Sequence, residues 1–150
     1  MYELKTKPAT LVIGIGNKGR NDDGLGWNFA AFIEQMRLPK VSIEYRYQLQ
    51  IEDAYLISQY ERIFFADASH KKIEAGFEIS PCNLSDQFYF STHSQSPESI
   101  LYMANALYQK CPPAFTIAIE GINWDFEYTL TETAKHNLNK AIQVFERVYY

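Results

Sequence analysis

Short apolar runs alternate with segments of helical spacing along the first half of this chain. Residues 11–16 form an apolar run of strand length, and the large apolar side chains within residues 24–37 recur three and four positions apart. Residues 41–48 alternate apolar and polar side chains, which predicts a strand near a sheet edge with one wetter face. A short helix over residues 51–60 and a buried strand over residues 62–68 follow. The pattern therefore predicts three strands separated by two helices.

The second half of the chain has weaker strand signals. Short strands are predicted near residues 77–79 and over residues 87–91, and a helix is predicted from Pro97, which suits a first helical position after a Ser96 cap. Residues 114–120 form the next apolar strand. Strands and helices that alternate in this way predict an α/β fold, with a mostly parallel sheet covered by helices on both faces.

The last helix is predicted from a capping signal and an apolar face. Thr129 and Glu132 have the spacing of a capping box, which makes Thr129 the expected N-cap. The apolar residues of the face that we expect to pack on the sheet are Ala134, Leu138, Ala141, Phe145 and Val148.

Composition and charge narrow the class of protein. The 150 residues, 47% of them hydrophobic, suit one domain over residues 1–150 with a core of ordinary size. A formal net charge of -4 without runs of like charge argues against a nucleic-acid surface. The chain starts without a secretory signal pattern, and no apolar stretch approaches the roughly 18 residues that span a bilayer, so we expect a cytoplasmic protein. Cys82 and Cys111 lack the spacing of a zinc site and are expected to be ordinary thiols.

Candidate chemistry lies where strands are followed by turns. Ligands of open α/β sheets bind beyond the carboxyl ends of the strands, and three such turns carry a potential metal ligand. Asp22 and Asp23 follow the first strand, Asp67 ends the apolar run of a later strand, and His93 precedes the helix at Pro97. Helix capping would explain one carboxylate of the Asp22–Asp23 pair, which leaves Asp23 available to a ligand.

Two carboxylates and one imidazole are compatible with nickel, zinc, iron or manganese and leave coordination positions open. His70 is a further candidate ligand, but Lys71 and Lys72 beside it indicate a solvated turn. His136 lies four residues after Glu132, where a surface pair on one helix is the simpler explanation.

A dinucleotide site is the competing hypothesis for the first turn. Gly14, Gly16 and Gly19 have the spacing of the dinucleotide fingerprint after a strand. The pyrophosphate would lie at the helix N-terminus, where Asp22 and Asp23 would oppose it by about 1 to 4 kcal/mol. The same pair attracts a divalent cation, so the charge favours a metal site.

This first turn resembles the signature of the hydrogenase maturation endopeptidases, which process the large subunit of nickel-iron hydrogenases. The matching residues are Gly14-Ile15-Gly16-Asn17, then four residues, then Asp22-Asp23-Gly24-Leu25-Gly26, against the family's GxGN-x4-DDGxG. Two further blocks are similar to the family's, namely Asp67-Ala68 with Gly76 nine residues after Asp67, and Ser91-Thr92-His93 before a helix.

The resemblance implies a site and an activity. Asp23, Asp67 and His93 correspond to the family's three metal-binding residues and are the expected catalytic residues. The implied fold is a three-layer α/β/α domain with five strands. The protein would recognise nickel already installed in the large subunit precursor and then remove a C-terminal extension of that precursor. The nickel would belong mainly to the substrate, and zinc or cadmium are divalent cations that could substitute.

Four departures from the family pattern stand out. Lys18 occupies a position where proline is common, Asn21 one where glycine is common, and Ala75 one where proline usually precedes Gly76. Residues 47–53 lack the glycine-threonine turn that many members carry after the second strand.

A second hypothesis is a protein that has the same fold and metal ligands but does not cleave its partner. Gly-x-Ser-x-Gly is absent and neither cysteine has a signature of activation, so hydrolysis would be metal-assisted. The altered segment around residues 48–53 leaves room for a metal-dependent binding or chaperone-like protein that only docks a partner.

Overall fold

The computed structural model describes residues 7–84 and 95–150, in which strands and helices alternate as predicted. The strands are β1 (Thr10–Ile15), β2 (Val41–Arg46), β3 (Arg62–Ser69), β4 (Phe77–Cys82) and β5 (Ala114–Glu120). The helices are α1 (Leu25–Met36), α2 (Asp53–Ser58), α3 (Pro97–Tyr108) and α4 (Glu132–Tyr149), and a short 3-10 turn (Asn21–Gly24) precedes α1. The strand predicted over residues 87–91 lies outside the described residues.

The strands form one five-stranded sheet in the order β2-β1-β3-β5-β4. All neighbours are parallel except β4, which runs antiparallel to β5. The prediction of a mostly parallel sheet of about five strands is therefore confirmed, as is the edge position of β2. The parallel arrangement places the ends of β1 and β3 side by side at one edge of the sheet.

Two apolar layers cover the sheet because buried strands are apolar on both faces. On β1, Val12 points into the layer formed with α1 and α4, whereas Leu11 and Ile13 point into the layer formed with α2 and α3. The same alternation on β3 sends Phe64 to the first layer and Phe65 to the second. The result is a three-layer α/β/α sandwich. Within the described ranges, no helix is long and apolar enough to cross a membrane.

The start of α1 lies unusually close to the sheet. A Cβ added at Gly26 would meet the carbonyl oxygens of Ala66 on β3 and Ile15 on β1, both of which are backbone atoms. This close packing holds the first turn of α1 against the ends of both strands, so it also fixes the turn that precedes the helix.

The two helix starts predicted from caps have different outcomes. Ser96 caps α3 as predicted, because its side chain accepts a hydrogen bond from the Ser99 N–H. The cap of α4 is Thr131 and not Thr129, since the Thr131 hydroxyl accepts from the Ala134 N–H at 3.2 Å. The apolar face of α4 is buried as expected except at Val148, which is 62% exposed near the end of the helix.

We predict that Gly26→Ala strongly destabilises the protein. The new methyl group would press on backbone carbonyls that cannot rotate away, and overpacking of this kind costs about 1 to 3 kcal/mol or more. Urea denaturation should show a lower midpoint for this variant. Gly19→Ala is the matched control, because an added Cβ there meets only side-chain atoms at 3.2 Å and beyond. Equal midpoints for the two variants would contradict the close packing of α1.

Candidate functional site

Asp23 is held in place by the turn that follows β1. Its Oδ2 atom accepts a hydrogen bond from the Asn17 N–H at 2.9 Å. Gly16 makes this turn possible, because its φ of 136° is rare for other residues and an added Cβ would meet the Asp23 carbonyl oxygen. The half-buried Asp23 side chain thus has a fixed position at the carboxyl end of β1.

The backbone of this turn does not offer a phosphate cradle. The N–H of Gly16 donates to the Arg46 carbonyl oxygen, that of Asn17 to Asp23, and that of Gly19 to the Asn17 side chain. A pyrophosphate would need such N–H groups to be free. The glycines therefore shape the turn around Asp23, and the geometry gives no support to the dinucleotide hypothesis.

Asp67 lies near the carboxyl end of β3, two residues before the strand ends. Its Oδ1 atom accepts a hydrogen bond from the Ala68 N–H at 2.8 Å. The Asp67 side chain is exposed to solvent on one side, and protein atoms surround it on the others. Desolvation is the main reason that the pKa of Asp67 is raised to about 7, and the negative charge of Asp23 raises it further.

The two carboxylates line one cleft of about 310 Å³. Its other walls are the β1 turn, the segment after β2 and the residues that start α3, and the lining residues are Ile15, Gly16, Tyr47, Gln48, Leu49, Gln95, Ser96 and Pro97. A second depression of about 360 Å³ also contains Asp67, together with residues 68–71 and Glu98. The sequence-based expectation that Asp23 and Asp67 meet at one edge of the sheet agrees with this arrangement.

The chemistry of this cleft suits a divalent cation. Each carboxylate uses one oxygen for a backbone N–H, and no hydrogen bond from the described residues reaches the other oxygen. Carboxylate oxygens are common ligands of divalent metals, and two of them supply the charge that such an ion needs. The described residues contain no group of three or more potential ligands. The third predicted ligand, His93, lies outside the described residues, so the three-residue site stays a prediction.

Asp22 has a role that the sequence did not reveal. Its side chain is fully buried and does not cap a helix, since the N-cap of α1 is Gly24 and no side chain caps that helix. Its Oδ2 accepts hydrogen bonds from the N–H groups of Ile122 and Asn123, and the Thr131 N–H and hydroxyl donate to Oδ1 and Oδ2, all at 2.8 to 3.1 Å. The expectation that capping explains one of the two aspartates is therefore wrong.

The pKa of Asp22 follows from the same contacts. Burial by itself would raise the pKa, but the backbone hydrogen bonds from Thr131, Ile122 and Asn123 and the Thr131 hydroxyl outweigh it. The net effect is a pKa below the ordinary value of 3.8, so the carboxylate stays ionised inside the protein.

The segment after β2 is fixed by a second buried carboxylate. Asp53 is 3% exposed, accepts from the Gln50 N–H at 2.9 Å and forms an ion pair with Arg46 at 3.1 Å. Leu49 pairs with Gln95 in an isolated antiparallel bridge. These contacts hold residues 47–53 against the cleft, a role that sequence spacing alone did not indicate.

Two other positions from the sequence can now be placed. The His70 ring stacks on Trp124 with 3.6 Å between the ring centroids, and His70 lines the second depression together with Asp67. Glu132 forms its ion pair with Lys135 at 3.1 Å, so the suggested surface pair with His136 is wrong. Asn21 adopts a positive φ of 42°, a conformation that glycine adopts without steric cost.

Comparisons with known proteins support the fold. No family model matches the chain, and no curated protein matches it. Among solved structures, it is similar to the hydrogenase maturating endopeptidase HybD from E. coli, with a TM-score of 0.72, 19% identity, and coverage of 93% of this chain and 91% of that one. The [NiFe] hydrogenase maturation protease HycI from Thermococcus kodakarensis KOD1 gives a TM-score of 0.71 and 19% identity over 95% and 93% of the two chains.

A protein from Wolinella succinogenes described as uncharacterized has the same fold, with a TM-score of 0.62 and 19% identity over 94% of this chain and 96% of that one. At these identities the likeness shows a shared fold. The resemblance drawn from the sequence motifs is thus confirmed at the level of the fold.

We predict that Asp22→Asn lowers stability in a pH-dependent way. The change removes charge-assisted hydrogen bonds from a buried network, which costs about 1 to 3 kcal/mol at neutral pH. Because the folded pKa of Asp22 is lowered, its contribution is complete above the unfolded value near 3.8 and is lost as the pH falls toward the folded pKa. Urea denaturation at pH 7 and at pH 3.5 should therefore show a smaller difference between wild type and variant at the lower pH. A difference that grows on acidification would contradict the assignment.

We further predict that Asp67 titrates near neutral pH in the metal-free protein, and that Asp23→Asn lowers its midpoint by removing a neighbouring negative charge. Carboxyl carbon shifts followed by NMR between pH 4 and 9 would measure both midpoints. Glu146→Gln serves as the control, because this exposed residue lies on α4. An Asp67 midpoint near 4 in the wild-type protein would rule out the poorly hydrated environment.

Proposed function

We propose that this chain is a metal-assisted endopeptidase that removes the C-terminal extension of a nickel-iron hydrogenase large subunit precursor after nickel insertion. The observation that carries the proposal is the placement of Asp23 and Asp67. They come from two neighbouring strand ends and line one cleft, on a fold shared with hydrogenase maturation proteases over more than nine-tenths of the chain. We expect this processing to take place in the cytoplasm.

In the proposed reaction, Asp23 and Asp67 both hold the cation. Asp23 is held by the Asn17 N–H and lines the cleft. Asp67 is poorly hydrated, which strengthens its attraction for a cation. The nickel would arrive with the precursor, and a divalent cation at such a site polarises a carbonyl group or a bound water molecule. His93 is the third proposed ligand, on the basis of the sequence motif.

The pKa of Asp67 gives the proposed site a pH dependence. A proton and a cation compete for this carboxylate, and its pKa is about 7 in the metal-free protein. Occupancy by a cation should therefore increase between pH 6 and pH 8.

The proposed function predicts a mass change in the precursor. We would co-express the chain with the hydrogenase large subunit precursor of its own host and measure the intact mass of the large subunit. The wild-type chain should remove a C-terminal peptide, whereas Asp23→Ala, Asp67→Ala and His93→Ala should each abolish the loss or slow it at least about a hundredfold, because each removes a proposed ligand.

Glu146→Ala is the matched control for removal of a carboxylate, because it lies on α4 and leaves the cleft unchanged. Urea denaturation of every variant separates loss of activity from loss of fold. An unchanged precursor mass together with a stable complex would reject the endopeptidase and support the non-proteolytic binding protein.

A further inference from the structure

The loop between β5 and α4 exposes large apolar side chains. Phe126 is 83% exposed, Tyr128 is 82% exposed and Ile122 is 55% exposed. We name residues 122–128 the aromatic loop. Several large apolar side chains left in water on one short loop point to a binding surface.

The aromatic loop is held rigidly although it has no regular secondary structure. The Asn21 N–H donates to the Glu127 carbonyl oxygen at 2.7 Å, and the buried Asp22 carboxylate holds the start of the loop. The Arg20 guanidinium lies 4.8 Å from the Phe126 ring centroid and donates to the Trp124 carbonyl oxygen at 3.1 Å. Side chains presented on a fixed backbone lose little entropy on binding, which favours a docking role.

This loop is continuous with the candidate site. The Trp124 ring stacks on His70 at 3.6 Å, and the Gly121 N–H donates to the Ser69 carbonyl oxygen at 3.0 Å. Ser69 and His70 line the second depression together with Asp67. A protein docked on the loop would therefore lie next to residues that line the second depression together with Asp67.

Charge indicates what kind of partner fits. Asp125 and Glu127 alternate with the aromatic residues, and both are exposed. Neither forms an ion pair with any described residue, while the nearby Arg20 is occupied by Phe126 and Trp124. A second copy of the chain would bring the same two carboxylates against each other across a two-fold axis, which is unfavourable. The charge pattern therefore favours a different protein with basic side chains around an apolar patch.

We propose that the aromatic loop docks the folded body of the protein substrate, and that it recognises an apolar patch flanked by lysine or arginine. The identity of the occupant rests on the proposed function. The loop would contribute affinity for the substrate, whereas Asp23 and Asp67 would contribute the chemistry.

Binding and cleavage should respond differently to changes in this loop. With the purified precursor, the double variant Phe126→Ala/Tyr128→Ala should raise Kd and KM at least about tenfold and leave kcat unchanged. Glu127→Lys should weaken binding about three- to tenfold at low salt, and the difference from wild type should shrink as salt is added. Tyr55→Ala is the matched control, because Tyr55 is an exposed aromatic residue of α2.

The same measurements separate the two proposals. If the wild-type chain cleaves the precursor and the loop variants have unchanged Kd and KM, the docking proposal fails and the proposed function stands. If the wild-type chain binds the precursor through the loop without cleaving it, the proposed function fails and the docking proposal stands. Absence of binding by the wild-type chain overturns the docking proposal. A dimer of the wild-type chain in sedimentation, converted to monomer by Phe126→Ala/Tyr128→Ala, overturns it as well. Urea midpoints near the wild-type value would show that the variants are folded.

Discussion

The arrangement of the candidate site depends on one buried carboxylate. Asp22 is ionised inside the protein, and four hydrogen-bond donors from the segment between β5 and α4 surround it. A buried charge is tolerated only when its hydrogen-bonding capacity is satisfied, so the turn after β1 and that segment have to form together. Asp23, the next residue, inherits a fixed position from this network, and so does the aromatic loop.

Close packing of backbone complements this network. Gly26 allows α1 to contact the carbonyl groups at the ends of β1 and β3, and Gly16 allows the chain to turn between strand and helix. The turn that carries Asp23 lies between these two glycines, so both of them determine its position. Parallel strand order then sets Asp67 beside that turn. These few backbone contacts thus determine where Asp23 and Asp67 lie in the cleft.

Most strands and helices, and the placement of Asp23 and Asp67 at one edge of the sheet, could be predicted from the sequence. The strands and helices carry strong periodic signals, and the rule that ligands bind beyond parallel strand ends places Asp23 and Asp67 together. The role of Asp22 was inaccessible because its partners lie about a hundred positions later in the chain. The choice of Thr131 over Thr129 as a cap has the same origin, since the Thr131 hydroxyl also donates to Asp22. Local motifs describe only neighbours in sequence, whereas these contacts arise from the tertiary fold.

The position of Asp67 between two depressions has a consequence for how a polypeptide could be held. Ile15, Asp67 and Pro97 line both depressions, so Asp67 lies where the two depressions adjoin. A polypeptide laid across Asp67 would therefore place residues on both sides of that carboxylate in contact with the protein.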